Sequence, residues 1–432
     1  MSSKTKTTAT KRDGKPALTP KLRFPDFRDA AGWKSKRLGE LFSDRQESGL
    51  SGLPLLSLMD KEGIVPQENS NRKNNSNSDK SKYLRVVPGD IAYNTMRMWE
   101  GRSAYVGLEG LVSPAYTVCK PKAEVHSLLF SYYFKAPQLI EQFRRYSQGL
   151  VKDTLNLKYQ AFAKITVLTP TYPEQQKIAE CLSSVDELIA AQARKLDALK
   201  THKKGLMQQL FPREGETQPR LRFPDFQDAG KWVFGELGPK TKKVGSGITP
   251  NGGDKNYKQS GRPFVRSQNV GWGVLLLDDV AFIDEETHSS FGSTEIQALD
   301  VLLNITGASI GRSAIADERI AGGNVNQHVC IIRVKAAELN HFYLNQFLIS
   351  PEGQKQIDSF QAGGNRQGLN FAQIRSFTIP LPPEVTEQQR IADCLTSLDD
   401  LIAAQTQKLD ALKTHKKGLM QQLFPSPQAV EA

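Results

Sequence analysis

Residues able to carry a reaction are present in this chain, but they are spaced for none of the common ones. Gly307 to Ser313 reads GASIGRS, which lacks the lysine and the spacing of a loop that cradles nucleotide phosphates. Pro382 and Pro383 are flanked by Leu381 and Glu384, not by the polar and aromatic neighbours of an amino-methyltransferase motif. Pro25-Asp26 and Pro224-Asp225 are not followed by the acidic-x-lysine step of a metal-dependent nuclease. The 6 histidines show no metal-ligand spacing. Cys119, Cys181, Cys330 and Cys394 form no CxxC pair and read as buried free thiols in a reducing compartment. No nucleophile stands with a base. The expectation is a chain with no catalytic residue, no metal site and no cofactor of its own.

What remains is the chemistry of hydrogen bonding and charge. Lys and Arg total 57 against 46 Asp and Glu, a net charge of +11, which favours an acidic partner, nucleic acid being the commonest. Asn69 to Lys82 (NSNRKNNSNSDKSK) is a polar, basic, low-complexity loop; it is either a solvated flexible segment or a nucleic-acid contact through Arg72, Lys73, Lys80 and Lys82. Ser246 to Asn269 mixes Thr249, Asn251, Lys255, Tyr257, Arg262, Arg266 and Asn269. Arg and Lys suit phosphates and guanine edges, and Asn and Gln suit adenine edges. Asn326, Gln327 and His328 precede a strand, and Asn365, Arg366 and Gln367 lie in a glycine loop; base contact and internal turn capping are the rival roles. Arg97, Arg102, Lys152 and Arg312 complete the candidate DNA-contacting set. Arg102 and Arg312 stand in the same GRSA sequence, 210 residues apart, which suits a phosphate contact or a fold role better than base reading.

The elements that must position these residues come in duplicate. Glu174 to Pro212 and Glu387 to Pro425 match at 32 of 39 positions, at an offset of 213. Self-similarity at fixed spacing sets architecture. In the first copy Ile178, Leu182, Val185, Ile189, Gln192, Leu196, Leu199, Lys203, Leu206 and Leu210 alternate steps of four and three; in the second, Ile391, Leu395, Leu398, Ile402, Gln405, Leu409, Leu412, Lys416, Leu419 and Leu423 do the same. That 3.5-residue period predicts a coiled-coil seam, about 50 Å long from end to end. Pro212 and Pro425 end the helices. Gln192 and Gln405 either set the register or face solvent where the helices diverge. A second repeat, PKLRFPDF from Pro20 and PRLRFPDF from Pro219, keeps a tryptophan at the same spacing, Trp33 and Trp232. Equivalence of the halves then puts the PKLRFPDF segment at the end of the second helix and makes the helices antiparallel, one globular domain at each end.

Between the repeats lie two diverged regions with a shared skeleton: Asp90, Asn94 and Gly101-Arg102-Ser103-Ala104 in one, Asp300, Asn304 and Gly311-Arg312-Ser313-Ala314 in the other. Each then shows a β-rich run, a helix-like stretch, a polar loop and a strand before a proline-rich end. The fold class expected is α+β: two copies of one domain of mixed β-sheet with helices, joined by two long antiparallel coiled-coil helices in pseudo-two-fold symmetry. The boundaries expected are a disordered basic tail at 1–19, domains at 20–172 and 213–385, helices at 173–212 and 386–425, and a tail at 426–432. No apolar run approaches the roughly 18 residues of a membrane helix, and the expected place is the cytoplasm.

At this point the chain resembles the specificity subunits of type I restriction-modification systems. The resemblance rests on PEQQKIAECL from Pro173, TEQQRIADCL from Thr386, GSGITP with GRPFVRSQNV, LLNITGASIGRSAI, NQHVCIIR, and GDIAYNTMRMWEGRSAYVGLEGLVSPAYTV from Gly89. It spans about residue 20 to 425. The first region lacks the GxTP and NQH of the second, which implies a different recognition subtype. The resemblance implies a bipartite double-stranded DNA target, each domain reading one half and the helices ruling the spacer. It also implies two methyltransferase and two ATP-dependent translocase/nuclease subunits as partners. Those would hold S-adenosylmethionine, ATP and magnesium, methylate adenine N6 and serve phage defence. A coiled-coil scaffold that binds only proteins is the alternative.

Overall fold

The computed structural model describes residues 19–50, 52–59, 63–70, 79–151, 154–213, 215–250, 252–361 and 368–425. The chain divides into two compact units. One takes Met1–Ala191 with Leu409–Ala432, the other Gln192–Lys408. The division therefore does not set the long helices apart from the domains, as the sequence boundaries did; each unit owns part of both.

In the first unit the strands are β1 (Lys34–Arg37), β2 (Phe42–Asp44), β3 (Leu56–Met59), β4 (Gly63–Pro66), β5 (Leu84–Val86), β6 (Ile91–Asn94), β7 (Ser103–Tyr105), β8 (Gly110–Val112), β9 (Tyr116–Pro121) and β10 (Thr166–Thr169). The main sheet runs β2-β9-β6-β7, with β3-β4, β5-β8 and β1-β10 as separate pairs. Helices α1 (Ser127–Tyr133) and α2 (Pro137–Tyr146) cover it, and the chain leaves in α3 (Tyr172–Leu210). The second unit holds β11 (Val233–Glu236), β12 (Thr241–Ser246), β13 (Arg262–Val265), β14 (Ala281–Ile283), β15 (Val301–Asn304), β16 (Ser313–Ile315), β17 (Asn324–Val325), β18 (Val329–Val334) and β19 (Thr378–Leu381). Its helices are α4 (His341–Leu348) and α5 (Pro351–Ser359), and the chain ends in α6 (Val385–Leu423). The main sheet is β12-β18-β15-β16, the same order in the same roles. What differs is the appended β14-β13-β17 sheet, in which β13 and β17 pair in parallel. Both units are mixed α+β, as expected.

The shared skeleton has a physical basis. Asp90 is 1% exposed, and its carboxylate accepts from Arg45 at 2.8 and 3.1 Å and from the Val87 amide at 3.0 Å. Asp300, also 1% exposed, accepts from Arg333 at 2.7 and 2.8 Å and from the Gln297 amide at 2.8 Å. The same turn is pinned by an arginine from a different place, Arg45 just after β2 in one unit and Arg333 of β18 in the other. Cys119 and Cys330 point into the cores, and burial pushes the Cys330 thiol up to about 12, so both stay protonated and inert. Gly101 and Gly311 close the β6–β7 and β15–β16 loops at φ +78° and +84°, a backbone that favours glycine.

Each core reaches onto the long helices. Trp33, Phe42, Phe130 and Phe134 pack in one cluster with Ile178 and Leu182 of α3 and Leu423 of α6. Phe424 stacks on Tyr133 at 4.5 Å between ring centres. In the second unit Trp232, Tyr343 and Phe347 cluster with Leu210 and Phe211 and with Ile391 and Leu395 of α6. Burying such a side chain contributes about 1.5–3 kcal/mol, so each domain is welded to both helices, not tethered to them.

Candidate nucleic-acid interface and the helices that carry it

The repeated Glu-Gln-Gln step begins both long helices, and its first two residues face inward. Glu174 is 1% exposed and accepts from Arg23 at 2.7 and 2.8 Å and from the Trp33 indole at 3.2 Å. Glu387 repeats this with Arg222 at 2.7 Å twice and Trp232 at 3.3 Å. Gln175 and Gln388 accept the first free amides of α1 and α4, from His126 at 2.9 Å and Asn340 at 2.8 Å. The LRFPDF segments are thus clamps: arginine holds the start of one helix while the Leu22 amide donates to Gln422 at 3.0 Å at the end of the other. Leu221 does the same to Gln209, also at 3.0 Å. The N-terminal segment lies at the end of the second long helix, as equivalence of the halves required.

Within each unit the two helices run antiparallel. All the seam residues named above are buried or half-buried. Gln192 is 8% exposed and donates Nε2 to the Gln405 carbonyl at 3.0 Å and to its side-chain oxygen at 2.8 Å, so it pairs across the seam instead of facing solvent. A further lock escaped the sequence reading. Lys203 donates to both Asp399 oxygens at 2.6 and 2.7 Å, and Asp399 also accepts from Gln346 of α4 at 2.8 Å. In the first unit Lys416 donates to Asp186 at 2.6 and 2.8 Å, with Tyr132 of α1 donating at 2.8 Å. The signal was there: a lysine at a seam position in both copies, and an aspartate on the other helix to meet it.

The candidate contact residues fall into three groups. Arg72, Lys73, Lys152, Asn251, Asn365, Arg366 and Gln367 lie outside the described residues. A second group serves the fold. Asn269 is 1% exposed; it accepts from the Arg266 amide at 3.0 Å and donates to the carbonyls of Leu276 and Asp279 at 2.9 and 3.1 Å. Asn326 accepts from the His328 amide at 3.0 Å, which is the turn-capping role. Arg266 lies over the Tyr257 ring at 5.4 Å and donates to the Asp279 carbonyl at 2.7 Å. Arg262 donates to Glu285 at 2.7 Å.

The third group stands at the surface. Arg97 and Arg102 flank Glu100 at 3.1 and 3.3 Å. Lys80 lies over Tyr83 at 4.8 Å, and Lys82 and Lys255 are exposed. Arg312 and Thr249 are half-buried and Gln327 is exposed. In the second unit Gln327 sits on a turn that neighbouring segments hold in place. The Gly247 amide donates to the Asn326 carbonyl at 3.2 Å, and a Cβ on Gly247 would sit 1.5 Å from the Val325 oxygen, so only glycine lets the GSGITP segment lie there. The Ile305 amide donates to the His328 carbonyl at 3.0 Å, and Thr306 bridges to Gly368. No cluster of metal-ligating side chains occurs among the described residues, and no described helix is long and apolar enough to cross a membrane.

A sequence model of the type I restriction modification DNA specificity domain matches the chain twice, over residues 31–201 and 243–414. The chain belongs to that family. Two curated relatives come from Methanocaldococcus jannaschii (strain ATCC 43067 / DSM 2661 / JAL-1 / JCM 10045 / NBRC 100440). The type I restriction enzyme MjaVIII specificity subunit is 23% identical over 359 residues, covering 80% of this chain and 82% of the relative. The putative type I restriction enzyme MjaX specificity subunit is 24% identical over 362 residues, covering 80% of each. The fold is that of a solved type I restriction-modification S subunit from M. genitalium, with a TM-score of 0.61 at 15% identity over 94% of this chain and 99% of that one. A chain solved in work on complex assembly and conformational transition of the type I R-M system gives a TM-score of 0.55 at 16% identity, over 91% and 98%. The protein is therefore a specificity subunit with two DNA-recognition domains, and the protein-only scaffold is not favoured. Each matched span of the specificity domain takes in one variable region and most of the long helix after it, which is the duplicated unit read from the sequence.

Proposed function

We propose that this specificity subunit reads a bipartite, asymmetric duplex target, one half-site per domain, with the paired helices setting the unspecified spacer. The supporting observation is the contrast between what is repeated and what is not. The Glu-Arg-Trp clamp, the Lys-Asp lock and the sheet order recur in both units. Outside the shared GRSA turn the loops diverge, Asn69 to Lys82 in one unit and Ser246 to Asn269 in the other having no common sequence. A constant frame with two different reading surfaces suits two different sequences. The contact set we assign is Lys80, Lys82, Arg97, Arg102, Thr249, Lys255, Arg312 and Gln327, with Arg102 and Arg312 toward phosphate.

The helices also dock two methyltransferase subunits. Leu188 and Leu401, repeat-equivalent and away from the seam, are 56% and 39% exposed, an apolar position left open on each helix. Two ATP-dependent translocase/nuclease subunits join them in the cytoplasm. S-adenosylmethionine, ATP and magnesium belong to those partners; this chain supplies recognition and no catalysis. Methylation of adenine N6 requires the base to be flipped into the partner's pocket.

The test is to map methylated bases in the host with and without this gene, alongside salt-dependent DNA binding by the complex. A bipartite motif lost on deletion, with affinity falling steeply as salt rises, is the expected result. Salt-independent or absent DNA binding by the complete complex would return the chain to the scaffold reading.

A further inference from the structure

The two units present one turn at the same place in the fold with opposite chemistry. In the second unit the Ile305 amide donates to the His328 carbonyl at 3.0 Å, and the His328 amide donates to the Asn326 side chain at 3.0 Å. In the first unit the Thr95 amide donates to the Ala115 carbonyl at 3.0 Å, and the Ala115 amide donates to the Ser113 hydroxyl at 3.3 Å. Ser113-Pro114-Ala115 therefore occupies the place of Asn326-Gln327-His328, and Met96 the place of Thr306.

The side chains on this turn differ in kind. His328 Nδ1 lies 2.6 Å from the Thr306 hydroxyl, and its Nε2 lies 3.3 Å from Gln327 Nε2. With the glutamine donating, His328 Nε2 accepts and Nδ1–H donates to Thr306. Both ring nitrogens are engaged, so the imidazole is fixed and in turn orients an exposed amide. Gln327 then keeps one N–H and its carbonyl oxygen without a partner among the described residues. An exposed glutamine needs no such support for the fold; its rotamers are free in water and ordering them costs entropy. In the first unit the matched side chains are apolar: Met96, 45% exposed, with Pro114 and Ala115.

We propose that Gln327 is a base-reading residue of the second domain, with His328 and Thr306 as positioning residues. Its free donor and acceptor match the N7 acceptor and N6 donor that adenine alone presents side by side in the major groove. The first domain makes no such reading at this place; its apolar turn suits the methyl group of thymine. This rests on the reading of the chain as a DNA-recognition subunit.

The experiment maps the methylated motif produced by the full chain in complex with its methyltransferase subunits, for the wild type, Gln327→Ala and Gln327→Glu. With Gln327→Ala, adenine discrimination at one position of one half-site falls about tenfold or more, while the other half-site and the spacer stay as they are. With Gln327→Glu, which keeps the side chain's size, the preference at that position moves toward cytosine, whose N4 donates to a carboxylate. His328→Ala relaxes the same position and no other. An unchanged motif in both Gln327 variants overturns the assignment. So does methylation that falls equally at every site with the motif intact. A wild-type complex that methylates no bipartite motif overturns the underlying reading instead.

Discussion

Glu387 shows how one side chain decides where a whole domain sits. It accepts two bonds from Arg222 and one from Trp232 while 0% exposed. Removing one partner of a buried ion pair leaves the other charge without solvent or counter-ion, at a cost of about 3–5 kcal/mol. Glu387→Ala should therefore lower stability by that amount in urea unfolding of the purified chain, more than any single exposed lysine of the contact set. The reason lies in Arg222: it also donates to the Ala229 carbonyl at 2.8 Å, so losing the carboxylate releases the segment that carries Trp232. The duplicated Glu-Gln-Gln step marked this residue in the sequence. Its role was not legible there, because the arginine and tryptophan that complete the clamp lie 165 and 155 residues away.

Among the elements, the long helices were the most legible part. Their length, end points and seam follow from a 3.5-residue apolar period between prolines, a local pattern that needs no tertiary information. The rungs across the seam were less so. Lys203 is 10% exposed and Asp399 28% at their side chains, partly shielded from water. Asp399→Ala should cost about 2 kcal/mol, the worth of a shielded hydrogen bond to a charged group. The reversed pair, Lys203→Asp with Asp399→Lys, should recover most of it, since the Gln346 amide can turn its oxygen to the new ammonium. In the first unit the same reversal at Lys416 and Asp186 should recover less, because the Tyr132 hydroxyl there donates to Asp186 while Lys416 also lies over its ring at 5.0 Å. A double-mutant cycle on thermal unfolding measures both. The turn and cap residues were the least legible: Asn269 and Asn326 have the donors and acceptors of a base reader, and only the fold shows that backbone amides and carbonyls already use them.

For the whole molecule, the proposed ruler makes a simple demand. Inserting one heptad into both α3 and α6 keeps the seam in phase and lengthens each helix by about 10 Å. The motif methylated by the complex should keep both half-sites and gain a spacer longer by about three base pairs, at 3.4 Å each. An unchanged spacer would show that the helices do not set it. The duplication itself was plain in the sequence, and the two family matches follow it. The identity of each half-site was not, because it resides in side chains on turns that the repeat does not constrain.

The two clamps differ in how far apart along the chain their ends are. Leu221 meets Gln209 after 12 residues of connector, whereas Leu22 must meet Gln422 across 400. For an open chain, closing the longer loop costs about 3 kcal/mol more in entropy. The same hydrogen bond is thus made twice with unequal kinetic prospects. The second unit can form this one bond as soon as its own helix end and LRFPDF segment exist, while the first must wait for the last helix to be made and folded. Hydrogen exchange should accordingly find the Leu22 amide opening more often than that of Leu221, with the first domain's hold on α6 the earliest point of release when the molecule begins to unfold.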